Sequence, residues 1–149
     1  MKKWMAAGML LVLLAGGCDE PGDQVEMEVG KPVEDYEPKE TDIVNTHGNV
    51  ENLERFDEFY ENAQSGMEDN IRIVYYTEEG DPILQDLSYD GMFFKSITDS
   101  RRDKFGEGEL IIMTCTNIEY STTNDMADNV YKLTECGKKN SEEIVLWYN

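Results

Sequence analysis

The sequence predicts an α+β fold: one amphipathic N-terminal helix packed on a largely antiparallel sheet of about six strands. Three features point there. One stretch, "NVENLERFDEFYENAQSG", carries apolar residues at helical spacing. From Ile71 onward the apolar period falls to two. The two late cysteines, Cys115 and Cys136, then face one another when their flanking segments are paired as antiparallel strands.

In the helix, Val50, Leu53, Phe56, Phe59, Tyr60 and Ala63 recur at steps of three and four, which lines up one apolar face. Asn49 is placed to cap the N-terminus, Glu51 suits the positive end of the helix dipole, and Gly66 suits the C-terminal stop. In "IRIVYYT", Ile71, Ile73 and Tyr75 alternate, and in "PILQDLSYD", Ile83, Leu87 and Tyr89 share a face. Glu78-Glu79-Gly80 between them fits a three-residue hairpin loop that pairs Tyr75 with Ile83. Asp90-Gly91 is a two-residue turn signal that sets Tyr89 against Met92, Leu87 against Phe94 and Asp86 against Lys95.

The same pairing test applies to "ELIIMTCTNIEY" and "VYKLTEC". With Cys115 opposite Cys136, Glu119 meets Lys132 and Asn117 meets Thr134 on the cysteine face. Ile118 meets Leu133 and Tyr120 meets Tyr131 on the other. Opposed strand residues have Cα separations of about 4.5–5.5 Å, within disulfide range. A disulfide and a pair of reduced, buried core cysteines both fit the spacing. The terminal "EEIVLWYN" alternates as a last strand.

The chain divides into a leader at 1–17, an acidic segment at 18–42 and a single globular domain at 43–149. Lys2 and Lys3, then an apolar run from Trp4 to Leu14, then Ala15, Gly16 and Gly17 before Cys18, have the layout of a secretory signal. That run is too short to span a bilayer, which takes about 20 helical residues. "AGGC" resembles the lipobox of bacterial lipoproteins, with Ala15 where leucine is commonest. The resemblance implies cleavage before Cys18 and lipidation there, palmitate among the chains. Two acyl chains suffice for stable anchoring, so the expected place is the outer face of the bacterial cytoplasmic membrane. Residues 19–42 hold ten acids against Lys31 and Lys39, with Pro21, Pro32 and Pro38, and are expected to form a disordered tether.

The 149-residue chain has 32 acidic and 13 basic residues, net −19. That balance excludes nucleic acid as a partner, because phosphates demand lysine and arginine. Only one histidine, His47, is present, in "NTHGN" before the helix, where it reads as a linker or capping residue. Two cysteines and one histidine complete no recognised zinc spacing, and "TNDMADN" lacks the spacing and the glycine of a calcium loop. No metal, cofactor or catalytic residue is therefore expected. One loop departs from the acidic background: "TDSRRDKFGEGE" gathers Arg101, Arg102 and Lys104 beside Phe105. These cations are expected to pair internally with Asp99, Asp103 and Glu107, or else to contact an anionic ligand or partner, since arginine binds carboxylate and phosphate bidentately.

Taken together, "VNTHGNVENLERFDEFYENA", "IRIVYYTEEGDPILQDLSYDG", "SRRDKFG" and the cysteine pair resemble a bacterial family, domain of unknown function 4362, found mainly in Gram-positive lipoproteins. Glu135 in "LTEC" stands where that pattern has glycine. The resemblance brings no catalytic or ligand residues. The expected role is a lipid-anchored, non-enzymatic binding or interaction module, with an extracellular protein or cell-wall partner. Alternatives are an inhibitor or immunity-type partner of an extracellular enzyme, and a wall-acting hydrolase built on two carboxylates. Native protein is expected to carry acyl chains on an N-terminal Cys18. Intact-mass measurement checks this, and Cys18→Ser should move the protein from the detergent to the aqueous phase on partitioning.

Overall fold

The computed structural model describes residues 33–122, 125–137 and 141–149. The leader and Cys18 lie outside the described residues, as does the segment from 19 to 32.

The protein is mostly β, and the expected N-terminal helix on one antiparallel sheet of about six strands does not hold. Strands hold half of the described residues. In chain order they are β1 (Ile43–Thr46), β2 (Asn49–Glu51), the short mid-chain helix α1 (Leu53–Gln64), β3 (Asp69–Tyr76), β4 (Pro82–Tyr89), β5 (Phe94–Asp99), β6 (Leu110–Cys115), β7 (Asn117–Ser121), β8 (Asn129–Cys136) and β9 (Ser141–Tyr148). They build a six-stranded sheet in the order β2-β1-β3-β4-β5-β6 and a three-stranded sheet, β7-β8-β9. All pairings are antiparallel except β1 with β3.

Two physical causes account for the difference. First, β1 and β2 precede the helix as a hairpin around His47 and Gly48, both at positive φ (52° and 88°). This is the backbone of a two-residue primed turn. The alternation that would have marked β1 is broken by Asn45, a polar residue buried at an apolar-face position. Its side chain accepts from the Gly48 amide at 2.7 Å and donates to the Trp147 carbonyl at 2.9 Å, so burial costs it no hydrogen bond. With β2 taking Asn49 and Val50, the helix starts later, capped by Asn52 in a left-handed conformation without a side-chain cap bond. Asn49 is therefore not the cap. Gly66 does end the helix: its amide bonds Ala63 O and the Met67 amide bonds Asn62 O, a Schellman closure with Gly66 at φ 71°.

Second, the stretch expected as one strand from Leu110 to Tyr120 divides at Thr116. Cys115 and Ile118 are both buried, three residues apart, which a single strand with one buried face does not allow. The chain leaves the large sheet there and opens the small one. Cys115 and Cys136 are nonetheless joined as a disulfide, with Cα atoms 4.0 Å apart. The register between β7 and β8 is the expected one: Asn117 pairs with Thr134, Ile118 with Leu133, Glu119 with Lys132 and Tyr120 with Tyr131.

Tyr75 pairs with Ile83 as expected. The next hairpin is shifted: Tyr89 pairs with Phe94, Ser88 with Lys95 and Leu87 with Ser96. The Asp90 carboxylate accepts from the Met92 and Phe93 amides at 2.9 and 2.7 Å, and this Asx-type cap holds a four-residue loop in place of a two-residue turn.

One core serves both sheets and the helix. Phe56, Phe59 and Ala63 of α1 meet Ile43, Ile71, Ile73, Leu87 and Phe94 of the large sheet and Ile118, Tyr131, Leu133 and Leu146 of the small one. Phe56 stacks edge-on to Tyr131 at 4.8 Å between centroids, so the helix is the wedge between the sheets.

At the seam, β8 carries a register shift between Leu133 and Cys136, and Glu135 within it sits at φ 56°. A left-handed residue in a bulge is normally glycine; a side chain there costs about 1 kcal/mol. The Glu135 carboxylate recovers part of this by accepting from the Thr116 hydroxyl at the strand break. Glu135→Gly should therefore raise stability by about 0.5–1 kcal/mol, while Glu135→Ala, which keeps the strain and loses the bond, should lower it. Paired denaturation curves check both.

Candidate functional site

Successive residues of a strand point to opposite faces, so with Ile71 and Ile73 in the core, Arg72 stands on the outer face of the large sheet. There Arg72 Nε and Nη2 bind both oxygens of Asp86, its cross-strand neighbour on β4, at 2.6 and 2.7 Å. This is bidentate geometry.

The loop between β5 and β6 brings the predicted cations to the same face. Asp99, half-buried at the end of β5, takes both arginines. Arg101 Nε and Nη2 bind it at 2.8 and 3.0 Å, and Arg102 Nη1 at 2.9 Å. Lys104 binds the buried Asp81 through its ammonium at 3.1 Å and its amide at 3.0 Å. Internal pairing was expected with Asp99, Asp103 and Glu107. Only Asp99 serves; Asp103 instead turns back on the amides of Phe105 and Gly106. Arg101, Arg102 and Lys104 are thus committed to the protein's own carboxylates, and Phe105 projects into solvent.

Sequence reasoning missed the group that sits among them. Residues 33–42 run across this face as a strap. The Tyr36 ring centroid lies 5.4 Å from Arg72 Cζ and 5.8 Å from Arg102 Cζ. Its hydroxyl donates to Asp42 at 2.5 Å and accepts from Arg72 at 3.3 Å. Two residues upstream, the Glu34 carbonyl accepts from Arg102 Nε at 3.0 Å. A recess of about 290 Å³ opens beside the ring, lined by Asp35, Tyr36, Tyr76, Asp81, Arg102 and Lys104. Ordering one residue costs about 1–2 kcal/mol, and a partly exposed cation–π contact returns about 0.5–1. The strap's contacts are concentrated at Glu34, Tyr36 and Asp42. The signal in the sequence was one aromatic residue in an acidic run, which composition averages away.

The other exposed feature is the edge of the large sheet. β6 is the terminal strand, and Ile111 and Ile112 are 44% and 51% exposed, one on each face. Cross-strand partners Thr98 and Ile97 lie on one side only. An edge strand presents unpaired amides and carbonyls to any extended chain beside it. No charged residue interrupts β6, whereas Glu107 and Glu109 stand exposed just before it.

Among the described residues no group of three His, Cys, Asp or Glu is arranged to hold a metal ion. His47 lies in the β1–β2 turn with Nδ1 3.6 Å from the Glu78 carboxylate.

These features define a class: a small two-sheet β domain with a helical wedge, a disulfide between its sheets, a strapped cationic face and a bare apolar edge. The chain matches the family described as Domain of unknown function (DUF4362) over residues 40–132 and belongs to it. No curated protein and no solved structure matches the chain.

The hydrogen bonds from Arg101, against the opposing effect of burial, hold the Asp99 carboxyl well below the usual carboxylate range. A depressed folded-state pKa stabilises the fold fully above the unfolded value near 4, and the gain is lost as pH falls further. Neutralising the many other acids relieves self-repulsion over the same window, so the difference between two proteins is the clean readout. Wild type should melt well above Asp99→Asn at pH 7, with the gap closing below about pH 4; thermal melts from pH 7 to 2.5 check it.

Proposed function

We propose that this protein is a lipid-anchored, non-enzymatic interaction module, mainly of Gram-positive type, held at the outer face of the bacterial cytoplasmic membrane by acyl chains on Cys18. The lipobox-like "AGGC" supports the anchor, and the Cys115–Cys136 disulfide supports an oxidising compartment.

The observation that carries the binding role is the uncharged, two-face-apolar edge of β6. The occupant we assign is an extended segment of an extracellular protein, added to the sheet as a further strand, with apolar residues spaced by two and flanked by lysine or arginine. Strand addition supplies main-chain hydrogen bonds from the edge, and Ile111 and Ile112 supply side-chain contacts. Charge selects the flanks: the exposed Glu107 and Glu109 beside the edge attract a basic segment and disfavour a second copy of this edge.

The test uses a synthetic peptide of alternating lysine and valine as the probe. Binding should slow hydrogen exchange at the amides of Leu110 to Thr114, and the pair Ile111→Lys and Ile112→Lys should weaken binding at least tenfold without shifting the melting temperature. Unchanged exchange along β6, or protection that grows with protein concentration in the absence of peptide, overturns the reading.

A further inference from the structure

We propose that the cleft between Arg72 and Arg102 is a second binding site, for an acidic aromatic peptide segment of another protein, and that residues 33–42 are its built-in competing occupant. The assignment does not rest on the β6 edge.

The cleft has the features of a recognition site for such a segment. Two guanidiniums from different elements, β3 and the β5–β6 loop, stand 5.4 and 5.8 Å from the centroid of one aromatic ring. Each guanidinium is fixed from behind by a carboxylate, Asp86 for Arg72 and Asp99 for Arg102, so the pair is set before any ligand arrives. The occupant supplied by the chain itself is Glu34-Asp35-Tyr36-Glu37, an aromatic residue in a run of acids. It shows what the cleft accepts: a ring beside both cations, a hydroxyl on Arg72 and a main-chain carbonyl on Arg102.

The same contacts show why the occupant can leave. The strap meets the face through the Tyr36 side chain and the Glu34 carbonyl, and its base is held at Asp42, which accepts from the Lys39 amide at 2.8 Å as well as from Tyr36 and whose carbonyl accepts from Asn52 at 3.2 Å. Residues upstream of Lys39 can lift without disturbing β1 or the helix. Val74 and Leu84, buried at 0% and 5% exposure, lie on the same outer face as Arg72. The family match starts at residue 40, so both arginines lie within the matched segment and Tyr36 precedes it.

The probe is a fluorescent peptide with the sequence of residues 33–42, VEDYEPKETD, added to full-length protein and followed by anisotropy. Tyr36→Ala, which vacates the cleft, should bind it at least tenfold more tightly than wild type. Adding Arg102→Ala to that variant should abolish binding, as should replacing tyrosine by alanine in the peptide. In wild type, excess peptide should speed hydrogen exchange at the strap amides 35–37, a readout that needs no substitution. Equal affinity for wild type and Tyr36→Ala, indifference to Arg102→Ala, or unaltered strap exchange overturns the site. A wild-type dimer that disappears in Tyr36→Ala would mean straps exchanged between copies, and overturns the assignment to another protein.

Discussion

The fold depends on one constraint: at Thr116 the chain leaves a six-stranded sheet to begin another, and the two sheets must be held together at that point. The disulfide does this covalently, tying the last residue of β6 to the last of β8. A loop with a sequence separation of 21 places its entropic contribution at about 3 kcal/mol. Polar groups then sew the rest of the seam. The Tyr75 hydroxyl of β3 donates to the Val145 carbonyl of β9, Asn45 of β1 reaches the Trp147 carbonyl, and Thr98 of β5 donates to Glu143 at 3.0 Å. Burial, then the nearby Glu143 charge, pushes the Tyr75 hydroxyl pKa upward, which keeps it protonated as a donor. Buried polar groups of this kind are costly unless paired, so they fix one relative placement of the sheets where apolar contacts alone would tolerate several.

That seam also explains which parts of the fold were legible in the sequence. Local pairings that depend on neighbouring side chains came through: Tyr75 with Ile83, and the whole register of β7 on β8. Those pairs obey the two-residue alternation and need nothing from the rest of the molecule. What was hidden depended on distant partners. Asn45 looks like a loop residue until Trp147, 102 positions away, supplies its carbonyl. The break at Thr116 leaves no glycine or proline to mark it; it is visible only in the burial of Cys115 and Ile118. The hairpin after Tyr89 slipped because an aspartate side chain, rather than the glycine beside it, decides the loop.

The site followed the same division. That Arg101, Arg102 and Lys104 form one cluster was readable from spacing, and pairing with Asp99 follows from proximity. Asp81 as the partner of Lys104, and Arg72 and Tyr36 as members of the same face, were not readable, because three separate elements contribute them. A charge cluster in sequence is therefore an incomplete description of an electrostatic surface. Here four cations meet Asp81, Asp86 and Asp99, and the face is closer to neutral than the loop alone suggests.

The loop from Ser100 to Glu109 joins the two exposed surfaces. At one end Arg102 grips the strap; at the other the Ser100 amide bonds the Glu109 carbonyl at 2.9 Å and sets where β6 begins. Between them the Asp103 carboxylate holds the turn from within, and a side chain on Gly106 would strike it at 2.4 Å. A loop cross-braced in this way has little freedom to reshape around a ligand. Its cations hold a fixed position and accept what already fits, as the Tyr36 ring does. At the β6 edge the exposed groups are apolar, Ile111 and Ile112. Rigid cations beside a bare edge divide the labour on this surface: the first selects by shape and charge, and the second supplies contact area.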